Sequence, residues 1–189
     1  MQRVFSTIAL VLATLSAPSS GADGIAEESA LEAEARELAG EFVGRLKPEL
    51  QRAMQSGGPV NAVSVCADRA PRIADALSHE TGWLVKRVSL KARNASRAIP
   101  DTWEVAVLQQ FEERQLAGEA PAGMHYGELT PSHYRYMQAQ GVEGVCLVCH
   151  GETLSAEVRE ALETYYPDDR ATGYTPGQVR GAISLSKKR

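Results

Sequence analysis

Cysteine is scarce in this 189-residue chain: there are three, too few to staple a small core and an odd number that cannot all pair off. Aromatic residues make up only 6%, so the interior has to be filled mainly by aliphatic side chains. Positive charge is nowhere concentrated except at the terminal Lys187, Lys188 and Arg189. With 20 Lys and Arg against 24 Asp and Glu the formal charge is −4, which argues against nucleic acid as a partner, because neutralising phosphates needs a clustered basic surface. Beyond the N-terminal segment no apolar run approaches the roughly 20 residues of a membrane helix. Internal repeats, low-complexity linkers and a second domain are also missing.

The hydrophobic run that does exist opens the chain. Arg3 gives a short positive start, Val4 to Leu15 an apolar centre, and Ser20-Gly21-Ala22 the small residues of a cleavage site. This is the pattern of a secretory signal peptide over residues 1–22. It predicts a mature domain, 23–189, in the periplasm, with no stable membrane span after processing.

Export sharpens the meaning of the cysteines, two of which lie in Cys146-Leu147-Val148-Cys149-His150. Cys-x-x-Cys-His is the attachment site of c-type haem: two thiols one helical turn apart add to the two vinyl groups, and the next residue presents an imidazole to the iron. A thioredoxin-like pair would not need the His, and a zinc site would need more Cys or His nearby, of which the chain after His150 has none. The expected cofactor is therefore one covalent haem c bound by Cys146, Cys149 and His150.

A second axial ligand must come from upstream, where Cys66, His79, His125, His133, Met54, Met124 and Met137 are available. The methionines among apolar neighbours read as core filler, His79 as a solvated helix end, and His125 and His133 as turn-flanked polar residues. Cys66 is either a buried inert thiol, half of an intermolecular disulfide, or a ligand. Haem propionates want cationic neighbours, for which Arg87, Arg93, Arg170 and Arg180 are candidates.

Apolar spacing predicts a helix over Ile25 to Leu46, a second piece from Pro48 to Met54 closed by Ser56-Gly57-Gly58-Pro59, and another over Asn61 to Leu77 with a fresh start near Pro71. Trp83 to Leu90 reads as a strand, and Asp101-x-x-Glu104 as a capping box opening a helix that stops at Gly118. Gly123 to Leu129, Tyr134 to Val142 and Val179 to Leu185 follow as strands, and Ser155 to Tyr165 as a helix.

Four segments together resemble a bacterial family: Val65-Cys66-Ala67-Asp68-Arg69-Ala70-Pro71-Arg72-Ile73-Ala74; Arg87 with Ala92 to Glu104; Gly144 to Gly151; and Tyr166 to Tyr174 with Arg180-Gly181-Ala182-Ile183-Ser184. The chain is similar to single-haem c-type domains of PAS-like fold, which stand alone or form the sensing end of histidine kinases. The resemblance spans nearly the whole mature chain. It implies an α+β fold, a PAS-like antiparallel sheet flanked by helices with a long N-terminal helix, and it implies Cys66 as the second axial ligand, so that His150 and Cys66 hold the iron. The family pattern has Pro and Asn where this chain has Ala95 and Arg97. A helical-bundle cytochrome is the competing fold, disfavoured by the Trp83 to Leu90 segment.

Ligation by Cys66 leaves no open position of the kind a peroxidase requires, so no enzyme is expected. The primary expectation is a redox or diatomic-gas sensor module and the alternative a periplasmic one-electron cytochrome. With no output module in the sequence, the expected partner is a separate redox or signalling protein, and a homodimer stays open.

Overall fold

The computed structural model describes residues 20–189. Helix α1 (Ser20–Thr81) is followed by β1 (Leu84–Val88), α2 (Thr102–Leu116), β2 (His125–Leu129), β3 (His133–Gly141), a 3-10 turn over Gly144–Cys146, the one-turn α3 (Leu147–His150), α4 (Ala156–Tyr165) and β4 (Val179–Lys188). The leader expected over 1–22 lies outside the described residues except for its last three positions, where α1 begins. Among the described residues no helix is long and apolar enough to cross a membrane.

Helix α1 is two helices joined at Gly57 and Gly58, which leave helical geometry; Gly58 has φ 66° and ψ −164°. That region of backbone space belongs essentially to glycine, and a side chain forced into it costs of order 1–3 kcal/mol. Gly58→Ala is accordingly expected to lower the unfolding free energy by that amount, read as a fall in the urea midpoint. An unchanged midpoint would show that the break is set by something other than this residue's backbone. Pro48 and Pro71, where the sequence predicts a kink and a new start, do not end the helix. An internal proline costs roughly 3 kcal/mol, and packing on both sides opposes the break. Ala39 and Phe42 are buried before Pro48 and Ala53 after it; Ala62 and Val63 are buried before Pro71, and Ala74 and Leu77 after it.

The four strands form one antiparallel sheet in the order β1-β4-β3-β2, so the last strand of the sequence lies inside the sheet. Side-chain alternation gives it two apolar faces. Val85, Tyr134, Tyr136, Ile183 and Leu185 pack with Leu38, Phe42 and Leu77 of α1. Val88, Met137, Ala139 and Ala182 pack with Val107, Leu108 and Phe111 of α2 on the other side. The architecture is α+β and PAS-like, with helices on both faces of the sheet, and a helical bundle is excluded.

Two polar contacts lock the helices to the sheet. Trp83, buried edge-on against Tyr134, donates its Nε1 hydrogen to Glu34 Oε1 at 2.8 Å, tying α1 to the start of β1. At α2 the predicted capping box is formed: Asp101 Oδ1 accepts from the Glu104 amide and Glu104 Oε2 from the Asp101 amide, each at 2.9 Å. Glu104 is fully buried, and it also accepts from Lys86 Nζ at 2.9 Å and from the Ser184 hydroxyl.

Candidate haem site

Cys146 ends the 3-10 turn and Cys149 and His150 lie on α3, so the motif spacing places two thiols and the imidazole within about one turn of backbone. The three side chains are half-buried, whereas the intervening Val145 and Val148 are 55% and 40% exposed. Cys149 packs against the cluster that joins Val63 of α1 to Val158 and Leu162 of α4, and Cys146 against Val142, Ala171 and Tyr174. Gly151 ends the turn. Its amide donates to the Leu147 carbonyl at 2.9 Å, and a Cβ at this position would lie 2.6 Å from the same oxygen, so only glycine fits. The backbone then pairs with the segment ahead of β4 through Tyr174 N to His150 O and Gly173 N to Gly151 O, both 3.0 Å.

That segment orients the histidine. His150 Nδ1 lies 2.7 Å from the Ala171 carbonyl oxygen. A carbonyl can only accept, so Nδ1 carries the proton and the lone pair is on Nε2, the arrangement in which metal-ligating histidines are commonly held. Arg180 Nε, 3.2 Å from the same Nδ1, cannot then donate to it. Burial first, and next the charges of Arg180 and Arg93, push the His150 pKa down to about 2, keeping the ring neutral.

Cys66 sits on the second half of α1 between Val63 and Ala67, both of which belong to the cluster that Cys149 packs against. Burial raises its thiol pKa, and the charges of Arg87 and Arg93 oppose that rise. Cys149 is likewise raised by burial, lowered by Arg93 and raised again by Cys66 and Cys146, so the three sulfurs share one electrostatic neighbourhood. None of them is in a disulfide.

Arginines surround this group. Arg93 donates to the carbonyls of Cys149 and Ala171, pairs with Asp169 at 3.1 Å, and has Nη1 3.5 Å from His150 Nε2. Arg180 donates to Ser89 Oγ at 2.9 Å and to the Lys91 carbonyl at 3.2 Å, with its guanidinium 5.4 Å over the Tyr174 ring. Arg87 follows Val85 by two residues, hence shares its α1-facing side of β1. Arg170 is exposed.

Several of the remaining ligand candidates are engaged elsewhere. His125 is on β2, at the sheet edge opposite β1, with Nδ1 2.9 Å from the Gly123 carbonyl, Nε2 3.0 Å from Arg36 and its ring stacked on Tyr136. His133 begins β3 beside Ser132, His79 is exposed, and Met54 is half-buried on α1. Met124 and Met137 are fully buried in the core under α2. Among the described residues no group of three or more His, Cys, Asp or Glu side chains is placed to hold a bare metal ion, so the zinc alternative has no donor set. Two contributors were not singled out in the sequence: the Ala171 carbonyl that fixes His150, and Asp169, which neutralises Arg93. Both belong to the Tyr166 to Tyr174 segment, and neither a main-chain oxygen nor a pairing across 76 positions has a local periodicity to announce it.

No curated protein matches the chain. Among solved structures, the crystal structure of the cyanobacterial heme-protein Tll0287 superposes with a TM-score of 0.59 at 21% identity, covering 92% of this chain and 98% of that one. The sequence model of the Tll0287-like family matches residues 22–187, the same span that carries the α+β fold and the Cys146 to Gly151 turn, and the chain belongs to the Tll0287-like family.

Proposed function

We propose that this chain is an exported c-type haem domain that works as a redox or diatomic-gas sensor, with one haem bound through Cys146 and Cys149 and its iron held by His150 and Cys66. One observation carries the reading: the His150 ring is fixed by Ala171 with its proton on Nδ1, on the turn that also carries two thiols at attachment spacing, and a third thiol from a different helix acts on Cys149 of that turn. The related solved structure is that of a heme-protein, which supports the same cofactor here. Bound haem would supply a one-electron iron couple and, where an axial bond loosens, a position for a small gas.

The sensor role rests on where the second ligand originates. Cys66 is on α1, whose other half covers the sheet and is tied to it through Glu34 and Trp83. A change in the hold on Cys66 therefore acts on the longest element of the fold. Electron transfer is the second reading, favoured by the exposure of Val145 and Val148 beside the thiols, which leaves that edge of the site open to a partner.

The test is chemical. Protein produced with its leader and purified from the periplasm should exceed the processed chain by the mass of one haem and retain its colour through acid-acetone extraction. Cys146→Ala with Cys149→Ala should leave at most extractable haem. Quantitative release from the wild type would refute covalent attachment.

A further inference from the structure

Within the site three arginines face a single carboxylate. Arg93 is neutralised by Asp169 in an ion pair whose side chains are only 11% and 9% exposed, and its Nη2 holds the Cys149 and Ala171 carbonyls. Arg180 and Arg87 have no such counter-charge. Arg180 gives hydrogens to Ser89 and Lys91, but its Nε faces a nitrogen that already carries a proton. The Arg87 side chain has neither a hydrogen bond nor an ion pair among the described residues, and the groups that act on its charge are Cys66, Tyr166, Arg93 and Cys146. Burial lowers the pKa of both arginines, and each is lowered further by neighbouring arginine charge. Withdrawn cations without an anion are costly, and a guanidinium is shaped to bind a carboxylate through two parallel hydrogen bonds.

We propose that Arg87 and Arg180 are the anchors for the two propionate carboxylates of the haem, while Arg93 is a positioning strut for the His150 turn. The proposal rests on the haem reading above and adds the carboxylate subsite to it. Two cations lacking an ion-pair partner match two carboxylates in number. Both lie at the β1 side of the sheet: Arg180 reaches Ser89, two residues beyond Arg87. Arg170, an equal candidate by sequence, is exposed and has no part in the subsite.

The experiment uses the haem-loaded wild type and the variants Arg87→Gln, Arg180→Gln, Arg87→Lys and Arg180→Lys, with Arg170→Gln as control. Resonance Raman propionate-bending bands are read together with the midpoint potential. Each Gln variant should shift a propionate band and lower the potential, since a cation near the iron favours the reduced state. Each Lys variant should restore the potential, and the band only in part, because an ammonium offers charge without the fork. The control should match wild type. Unchanged propionate bands in both Gln variants would overturn the anchor assignment while haem remains bound. An altered axial-ligand spectrum in Arg87→Gln with propionate bands in place would overturn it too, making Arg87 a partner of Cys66. Should Arg180→Gln fail to accumulate, Arg180→Lys and the Arg87 pair decide the matter. A wild-type mass lacking haem would refute the haem reading itself, a result distinct from all of these.

Discussion

Replacing Cys66 by Ala should leave the haem covalently attached but turn a low-spin ferric spectrum into one of an open or water-ligated iron. In the proposed reading attachment depends on Cys146 and Cys149, which sit on the turn ending in α3, whereas Cys66 sits on α1 and contributes only coordination. The two roles are therefore separable by mutation. Ala is also the gentlest substitution for a half-buried thiol, since it keeps helix propensity and removes one sulfur from the Val63 and Ala67 neighbourhood. Electron paramagnetic resonance and visible absorption of the oxidised variant check the outcome, with acid-acetone retention as the control for attachment. A variant that keeps the wild-type low-spin signals would remove Cys66 from the iron. The rival donors would then have to come from well outside the motif, since His125 is bonded at the opposite sheet edge and Met124 and Met137 are enclosed beneath α2.

The second large effect is expected far from the motif, at Glu104. This carboxylate is 0% exposed and does four things: it closes the capping box of α2, pairs with Lys86, accepts from Ser184 on β4, and lies 3.5 Å from Arg135. Deleting one partner of a buried ionic pair typically costs about 3–5 kcal/mol. Lys86 retains 30% exposure and can still reach water, which puts the expected loss for Glu104→Ala near the lower end, roughly 3 kcal/mol. For a domain of this size that corresponds to a fall in Tm of roughly 6–12 °C. Glu104→Gln, which keeps the shape and an acceptor oxygen, should lose less. Urea and thermal unfolding followed by circular dichroism measure both. A Glu104→Ala protein as stable as wild type would mean that the Lys86 pair and the cap contribute nothing net, with desolvation of the carboxylate offsetting them.

Much of this molecule is legible from local patterns. The Asp101 to Glu104 capping box, the Val107 and Phe111 stripe, the Trp83 to Leu90 strand and the Ser155 start of α4 each depend on residues within a few positions of one another, and the structure has all of them. The prolines are misread for the complementary reason. Whether Pro48 or Pro71 breaks a helix depends on packing before and after it, which comes from strands and helices distant in sequence. The candidate site divides in the same way. Cys146, Cys149 and His150 announce themselves by spacing, and Cys66 came only through resemblance. The residues that orient them, Asp169 and the Ala171 carbonyl, and the distinction between Arg87, Arg180 and Arg170, depend on where β1 and the approach to β4 come together. Glu104 reads from sequence as part of a helix cap, and its burial follows from Ser184 and Lys86 arriving beside it on neighbouring strands.

The position of β4 between β1 and β3 also sets an order of assembly. Its register joins Leu84 to Ser186 and His133 to Lys188, so both neighbouring strands must wait for a segment made long after β1. Closing such loops is entropically unfavourable before any contact rewards it, and topologies dominated by distant pairings fold slowly. Until β4 inserts, the two halves of the sheet have unpaired edges and the turn carrying Cys146 and Cys149 lacks the strand-side backbone that later clamps His150. Both thiols therefore precede in sequence the segment that completes their surroundings, and they gain that enclosure only when the approach to β4 docks on the turn.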